Sequence, residues 1–182
     1  RVSEAVRKLD GTHVVNVQGD EILVLPEDLG RMVEAIEQAP NVPAWNAIAP
    51  IEQAEELCDR SIVKCAVSRS DRILCCGRDF SAWAGGTGAT YEPFRKVLGI
   101  LGYRRDFLER YGQLTRTPLE EAEAIDQLRI IEHDVILQGV GVRYGYPGIN
   151  EPREVAVVDT IFDSNPAQQR VLDDVLGLMS VR

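Results

Sequence analysis

The stretch HVVNVQGDEILVLPEDL, residues 13–29, joins an apolar run to two adjacent carboxylates. Its first five residues have the β-branched character of a short buried strand. The next helix is predicted to open at Pro26, because apolar residues follow it at helical spacing: Leu29, Met32, Val33 and Ile36. Asp20 and Glu21 therefore lie in a loop between a strand and a helix. Ligands bind at this end of the strands in open α/β sheets, so a cation ligand is one interpretation and a loop or helix cap is the other.

Strands and helices alternate along the rest of the chain. Strands are predicted for the apolar runs AWNAIAPI, IVKCAVS, RILCCGR, KVLGILGY and VILQGVGVRY. The second and third of these pair about a turn at RSD. The alternation predicts an α/β fold with a largely parallel sheet. We expect one domain over residues 1–182, closed by an amphipathic helix over 166–179.

Two further segments have recognisable local chemistry. Residues 117–120, TPLE, fit a capping box with proline at the first helical position, which predicts a helix running to about His133. Glu123, Asp126 and Gln127 would share one face of that helix, either as a solvated stripe or as part of a polar site. Residues 80–93 form a glycine-rich segment without G-K-[ST], which favours a connector or lid over a phosphate loop.

Charge and cysteine usage argue against several classes of partner. The chain has 182 residues with 20 Lys and Arg against 29 Asp and Glu, a net charge of −9, which disfavours nucleic acid and anionic membranes. No apolar run approaches the length of about 18 residues that spans a membrane. The four cysteines include no C-x-x-C, so a zinc site is poorly supported. Cys65, Cys75 and Cys76 are expected to pack as reduced thiols, as in a reducing cytosol.

Three motifs in order resemble the cytidylyltransferases that activate 3-deoxy-manno-octulosonate (Kdo), the CMP-Kdo synthetases. VVNVQGDEI is similar to the family's V-V-N-V-Q-G-D-E-P, GILGYR to G-I-Y-A-Y-R, and PLEEAEAIDQLR to P-L-E-x-x-E-S-L-E-Q-L-R. The resemblance spans roughly residues 1–155. It implies a three-layer α/β/α nucleotidyltransferase sheet, Rossmann-like and glycosyltransferase-A-like. The sheet would be N-terminally incomplete, because residues 1–12 do not supply the family's first strand and triphosphate-binding loop.

The resemblance also implies a reaction and a nucleotide site. The family transfers CMP from CTP to an acidic eight-carbon sugar, releases pyrophosphate and is commonly dimeric. Its members are expected in the cytoplasm, in lipopolysaccharide biosynthesis. By resemblance, Asp20 would be the catalytic carboxylate that holds Mg²⁺ against the nucleotide phosphates. Gln18 and Gly19 would shape the nucleotide side of the pocket, and Asn150 falls at the position of a second metal ligand.

The acceptor side of the site follows from the same resemblance. Arg78 would face the sugar acid, where a guanidinium suits bidentate capture of a carboxylate, or it is an ordinary surface charge. Asp126 and Gln127 would hydrogen-bond the sugar. Val97 and Leu101 replace a His and a Tyr that contact the sugar in the family, which predicts poor use of Kdo.

Two functional hypotheses remain open at this point. One is a cytidylyltransferase acting on a Kdo-type sugar or a related acidic acceptor. The other is a non-catalytic homologue that binds nucleotide or sugar, or that pairs with a partner chain. The second gains weight from Asn150, a neutral amide where the family has a metal-binding Asp, and from Ile22, where it has Pro. Without the family's first strand, the strand HVVNV would also have an unpaired edge.

Overall fold

A mixed β-sheet organises the residues that the structure describes, which are 2–83, 91–149, 152 and 154–180 of this computed structural model. Its strands are β1 (His13–Val17), β2 (Ala44–Pro50), β3 (Lys64–Val67), β4 (Ile73–Gly77), β5 (Phe94–Arg104) and β6 (Leu137–Gly141). The order is β4-β3-β5-β2-β6, and β1 pairs with the C-terminal half of β5. Each of the predicted strand runs therefore contains a strand.

The expectation of a largely parallel sheet is wrong. β5 runs antiparallel to β1, β2 and β3, and β3 runs antiparallel to β4. Among the described strands, only β2 and β6 pair in parallel. Tight hairpins need only a few residues and reverse the chain, whereas a parallel pair needs a crossover of a dozen residues or more. The β3–β4 hairpin makes such a reversal, whereas the parallel strands β2 and β6 are joined by the long connection over residues 51–136.

Helices cover both faces of the sheet. They are α1 (Val2–Val6), α2 (Pro26–Gln38), α3 (Arg105–Tyr111), α4 (Pro118–Glu123), α5 (Asp126–Glu132), α6 (Glu154–Ser164) and α7 (Pro166–Ser180). On one face, Met32 and Ile36 of α2 pack against Trp45 of β2. On the other, α3 and α5 pack Phe107 and Leu128 against the sheet. Burial of each such large apolar side chain stabilises the fold by about 1.5–3 kcal/mol. With helices on both faces of the sheet, the protein has the predicted α/β/α arrangement.

The helix predicted from Thr117 to His133 is interrupted. Ala124 adopts the left-handed conformation, with φ 54° and ψ 48°, and ends α4. The chain then restarts as α5 after Ile125. Glu123 is consequently on a different helix from Asp126 and Gln127, so the expected single face is wrong. Alanine favours helix interiors, and nothing local in the sequence marks the break.

The first strand is less enclosed than its apolar sequence predicted. His13 to Asn16 are half-buried and Val17 is 37% exposed. β1 pairs with β5, and among the described strands it has no second neighbour. One edge of β1 is therefore open in this part of the chain, as the comparison of motifs predicted.

The cysteines also depart in part from expectation. Cys65 and Cys76 are buried free thiols, as predicted, and burial raises the pKa of Cys65 to about 12. Cys75 is exposed, so its expected burial is wrong. It lies on the outer strand β4, where Leu74 and Cys75 are both exposed between the buried Ile73 and Cys76.

Candidate active site

A cleft of about 710 Å³ lies beside the end of β1, the middle of β5 and the junction of α4 with α5. It is lined by five of the residues that the resemblance assigns to nucleotide or acceptor binding: Gln18, Asp20, Arg78, Asp126 and Gln127. Gly19 lies in the chain between two lining residues but does not line the cleft itself. Asn150 lies outside the described residues. Segments far apart in sequence thus converge on one concave surface, the usual form of a small-molecule site.

The two adjacent carboxylates after β1 face different surroundings. The Gly99 N–H donates to Glu21 Oε1 at 2.5 Å, and the Gln18 N–H donates to the Gly99 carbonyl at 2.8 Å. A Cβ on Gly99 would lie 2.7 Å from Gln18 Oε1 and 2.9 Å from Glu21 Cγ, so a larger residue here would displace these two side chains. Burial raises the pKa of Glu21, opposed by the Gly99 bond and reinforced by the Asp20 charge. Glu21 therefore attaches the turn to β5.

Asp20 is held in place by its backbone. The Ile149 N–H donates to the Asp20 carbonyl oxygen at 3.2 Å, and a Cβ on Gly148 would lie 2.9 Å from that oxygen. The residue that precedes Asn150 in the chain is thus hydrogen-bonded to Asp20. Among the described residues no group of three or more His, Cys, Asp or Glu side chains could enclose a metal ion. Proteins usually hold Mg²⁺ with one or two carboxylates while phosphates and water complete the shell, and Asp20 could serve as one such ligand.

Arg78 is fixed by backbone carbonyls. Its Nε donates to the Glu123 carbonyl oxygen and its Nη1 to the Arg60 carbonyl oxygen, each at 3.0 Å. A guanidinium has five N–H groups. These two bonds therefore leave donors on the two terminal nitrogens for a ligand in the cleft.

A buried amide pair joins Gln127 to the sheet. Gln127 Nε2 donates to Asn46 Oδ1 at 2.9 Å, and Asn46 Nδ2 donates to the Leu98 carbonyl oxygen at 2.8 Å. Asn46 is fully buried, at an irregularity in the pairing of β2 with β5. Asn46 was not among the residues predicted for the site. An amide inside the apolar run AWNAIAPI could have indicated it, because a buried amide needs hydrogen-bond partners.

A salt bridge in the cleft was also missed. Lys96 Nζ lies 2.7 Å from Glu56 Oε1, and its side chain is 7% exposed. Burial raises the pKa of Glu56, but the bonds from Lys96 and from the Glu52 and Gln53 N–H groups outweigh it and hold that pKa below its usual value. A lysine inside the strand run KVLGILGY was the signal. Because Glu56 neutralises it, Lys96 presents little net positive charge to a ligand.

Val97 and Leu101, the two β5 residues that differ from the family, occupy different environments. Val97 lines the cleft, where the family has histidine. Leu101 is 3% exposed and belongs to the core that also contains Tyr103 and Phe107. Of the two positions expected to contact a sugar, only Val97 is thus at the cleft surface in the described part of the chain.

The sequence matches the model of a known protein family. Residues 1–139 match the cytidylyltransferase family model. The chain is 35% identical over 144 residues to a 3-deoxy-manno-octulosonate cytidylyltransferase of Nitrosococcus oceani, covering 73% of this chain and 56% of the relative. It is 29% identical over 172 residues to the Zea mays enzyme of that name, covering 92% and 57%. The Escherichia coli enzyme is 28% identical over 152 residues, covering 84% and 61%.

Solved structures agree with this relationship. The structure of CMP:2-keto-3-deoxy-manno-octonic acid synthetase complexed with CTP superposes with a TM-score of 0.78 at 26% identity, covering 89% of this chain and 66% of that one. A putative glucose-1-phosphate thymidylyltransferase from Bacillus anthracis, at 12% identity and a TM-score of 0.56, shares the fold. The described helices include none long and apolar enough to cross a membrane. The chain spans between half and two thirds of the length of these curated relatives, and it belongs to the cytidylyltransferase family.

Proposed function

We propose that this protein carries most of the site of a cytidylyltransferase that transfers CMP from CTP to a Kdo-type sugar acid or a related acidic acceptor. The observation that carries the proposal is the convergence of Gln18, Asp20, Arg78, Asp126 and Gln127 on one cleft. In the reaction an acceptor hydroxyl oxygen bonds to the α-phosphorus of CTP, the bond to the β-phosphate breaks, and pyrophosphate leaves. The hydroxyl proton passes to a base or to solvent.

The nucleotide side is assigned to the turn after β1. Gln18 would shape it, with Gly19 in the same turn, and Asp20 is the carboxylate that would hold Mg²⁺; the resemblance gives Asn150 as a second oxygen donor. Bound Mg²⁺ would neutralise phosphate charge. The chain's own contribution is to keep Asp20 in a fixed position, since positioning and charge neutralisation account for most of the catalysis in phosphoryl transfer.

The acceptor side is assigned to Arg78, Asp126 and Gln127. The terminal nitrogens of Arg78 would pair with the carboxylate of the acceptor. Gln127 is held by Asn46 at 2.9 Å and would present its carbonyl oxygen to a sugar hydroxyl. Val97 offers an apolar surface where the family has histidine, so we expect an acceptor with fewer or different hydroxyls than Kdo.

A second candidate is supported by the open edge of β1. Unpaired strand edges are templates for pairing with another chain, which favours a partner or a second copy there. A homodimer in the cytoplasm is our expectation. Pairing and catalysis are compatible, because the partner's strand would cover the edge and not the cleft.

The test is pyrophosphate release from CTP with Mg²⁺ across a panel of 2-keto sugar acids. It is run on this chain and on the chain with whatever residues its gene encodes before Arg1. We expect no turnover by residues 1–182 alone, and turnover with at least one acid when any upstream residues are included. Absence of release with every acid in both forms would reject the catalytic proposal in favour of the pairing function.

A further inference from the structure

Arg78 is attached to its surroundings through its backbone as well as its side chain. Its N–H donates to the Glu123 carboxylate at 3.1 Å, and its carbonyl oxygen accepts a bond from Lys64 Nζ at 2.5 Å. With the guanidinium bonds to Glu123 and Arg60, these contacts come from two separate segments of the chain, residues 60–64 and Glu123. An arginine held this way loses little rotamer freedom when it meets a ligand.

Lys64 is a buried cation that bonds to carbonyl oxygens. It is 0% exposed, and its ammonium donates to the carbonyl oxygens of Asp59, Ile62 and Arg78 at 2.6, 2.9 and 2.5 Å. A buried charge is costly unless it is well hydrogen-bonded. Here the three N–H groups of the ammonium join the loop after residue 58 to Arg78, the residue that follows β4. The mechanism of cytidylyl transfer does not otherwise use this lysine.

Glu123 connects Arg78 to the α4–α5 junction. Its carboxylate accepts the Arg78 N–H and its carbonyl oxygen accepts the Arg78 Nε–H. The left-handed Ala124 ends α4 at this point. A carbonyl at a helix C-terminus lacks an intrahelical donor, so it is available to the guanidinium. Asp126 and Gln127 begin the next helix, and the same junction therefore places both Arg78 and the predicted sugar-binding pair.

We infer that Lys64 and Glu123 are positioning residues that hold the Arg78 guanidinium toward the acceptor side of the cleft. The inference rests on the proposed function for the identity of the ligand, an acidic acceptor, and on geometry for the positioning itself. Arg78 alone would contact the acceptor; Lys64 and Glu123 would act through it.

The first readout needs no ligand. Hydrogen exchange of the Arg78 N–H and Nε–H is followed by nuclear magnetic resonance in the free protein. Glu123→Gln replaces a charged acceptor by a neutral one and Lys64→Met removes a donor, so each should accelerate exchange of both protons by about tenfold, the factor expected for weakening by one modest hydrogen bond. Glu121→Gln, an exposed residue of the same helix, is the matched control and should change neither. Unchanged exchange in Glu123→Gln would overturn the inference, and this milder variant covers the case in which Lys64→Met does not fold.

The second readout separates this inference from the proposed function. Kdo is titrated at millimolar concentration into Glu123→Gln, Arg78→Met and the double variant. If Glu123 acts through Arg78, the Glu123→Gln substitution weakens Kdo binding about tenfold in the native background and has no further effect beside Arg78→Met. Additive losses would show an independent role and overturn the inference. If the native protein does not bind Kdo, that result counts against the proposed acceptor, and the exchange measurement still decides the positioning.

Discussion

The Gly99 N–H donates to the Glu21 carboxylate at 2.5 Å across a sequence separation of 78 residues. This bond explains why two carboxylates follow β1. Glu21 joins the turn to β5, and both Glu21 and its neighbour Asp20 line the cleft. The Glu21 carboxylate is thus engaged in a structural bond, and Asp20 is the one to which we assign ligand binding.

Replacement of Gly99 by alanine should disrupt this attachment. The added methyl group would lie within 3 Å of the Gln18 and Glu21 side chains, which must shift and so weaken the Glu21 bond to Gly99. We expect Gly99→Ala to lower the free energy of unfolding by about 1–3 kcal/mol, the usual cost of overpacking. Urea denaturation measures it. Gly30→Ala on α2 is the control, since a Cβ there meets nothing within 4 Å and should be neutral or stabilising. Equal stability of the two variants would contradict the close approach.

Ala124 offers a prediction of the opposite sign. It adopts left-handed backbone angles that cost an L-residue roughly 1–2 kcal/mol. Ala124→Gly should therefore stabilise the protein by about 0.5–1 kcal/mol, because relief of strain exceeds the added freedom of the unfolded chain. Ala122→Gly, inside α4, should destabilise it by about 1 kcal/mol. Thermal unfolding of both variants checks the pair, and destabilisation by both would argue for an uninterrupted helix.

The buried pair of Glu120 and Arg129 should make stability depend on acid. Glu120 is 4% exposed and accepts from Arg129 Nε at 2.7 Å, and this bond holds the pKa of Glu120 below its usual value. Because the folded pKa is depressed, the contribution to stability is complete above the unfolded value and is lost as pH falls through the folded pKa. We expect the free energy of unfolding to fall below about pH 4.5.

Arg129→Leu tests this pair directly. Removing one partner of a buried pair should cost about 3–5 kcal/mol at pH 7. The variant should also lose the part of the acid dependence that comes from Glu120. The exposed pair Asp106–Arg110 is the comparison, and Arg110→Leu should cost no more than about 1 kcal/mol. Parallel pH profiles of native protein and Arg129→Leu would assign the acid dependence to other carboxylates.

The open edge of β1 predicts association of the isolated chain. Unpaired backbone groups left without water cost about 1–3 kcal/mol each, so residues 1–182 alone should pair this edge with another chain or aggregate. Val17→Lys places a charge on the edge strand and should shift size-exclusion profiles toward monomer. Val33→Lys, on an exposed position of α2, should not. A native chain that elutes as a soluble monomer would contradict this prediction.

Much of the cleft lining could be predicted from the resemblance, because Q-G-D-E follows a strand and E-A-I-D-Q-L-R supplies Asp126 and Gln127, and both stretches line the cleft. Strand direction could not, since the same alternation fits parallel and antiparallel pairing. The break at Ala124 and the contacts of Lys64 and Glu123 could not be predicted from the sequence either. They depend on contacts such as that between Arg78 and Glu123, 45 residues apart, which no local pattern encodes.

Calorimetric titration of CTP tests the central claim, that the cleft beside Asp20 binds a nucleotide through a divalent ion. With Mg²⁺ present, the native protein should bind CTP, and chelation of the metal should abolish the heat. Asp20→Asn should lose the Mg²⁺-dependent binding while its thermal unfolding stays close to native, and Asp10→Asn, an exposed control, should bind normally. The same CTP affinity in native protein and in Asp20→Asn, with Mg²⁺ present, would contradict the account.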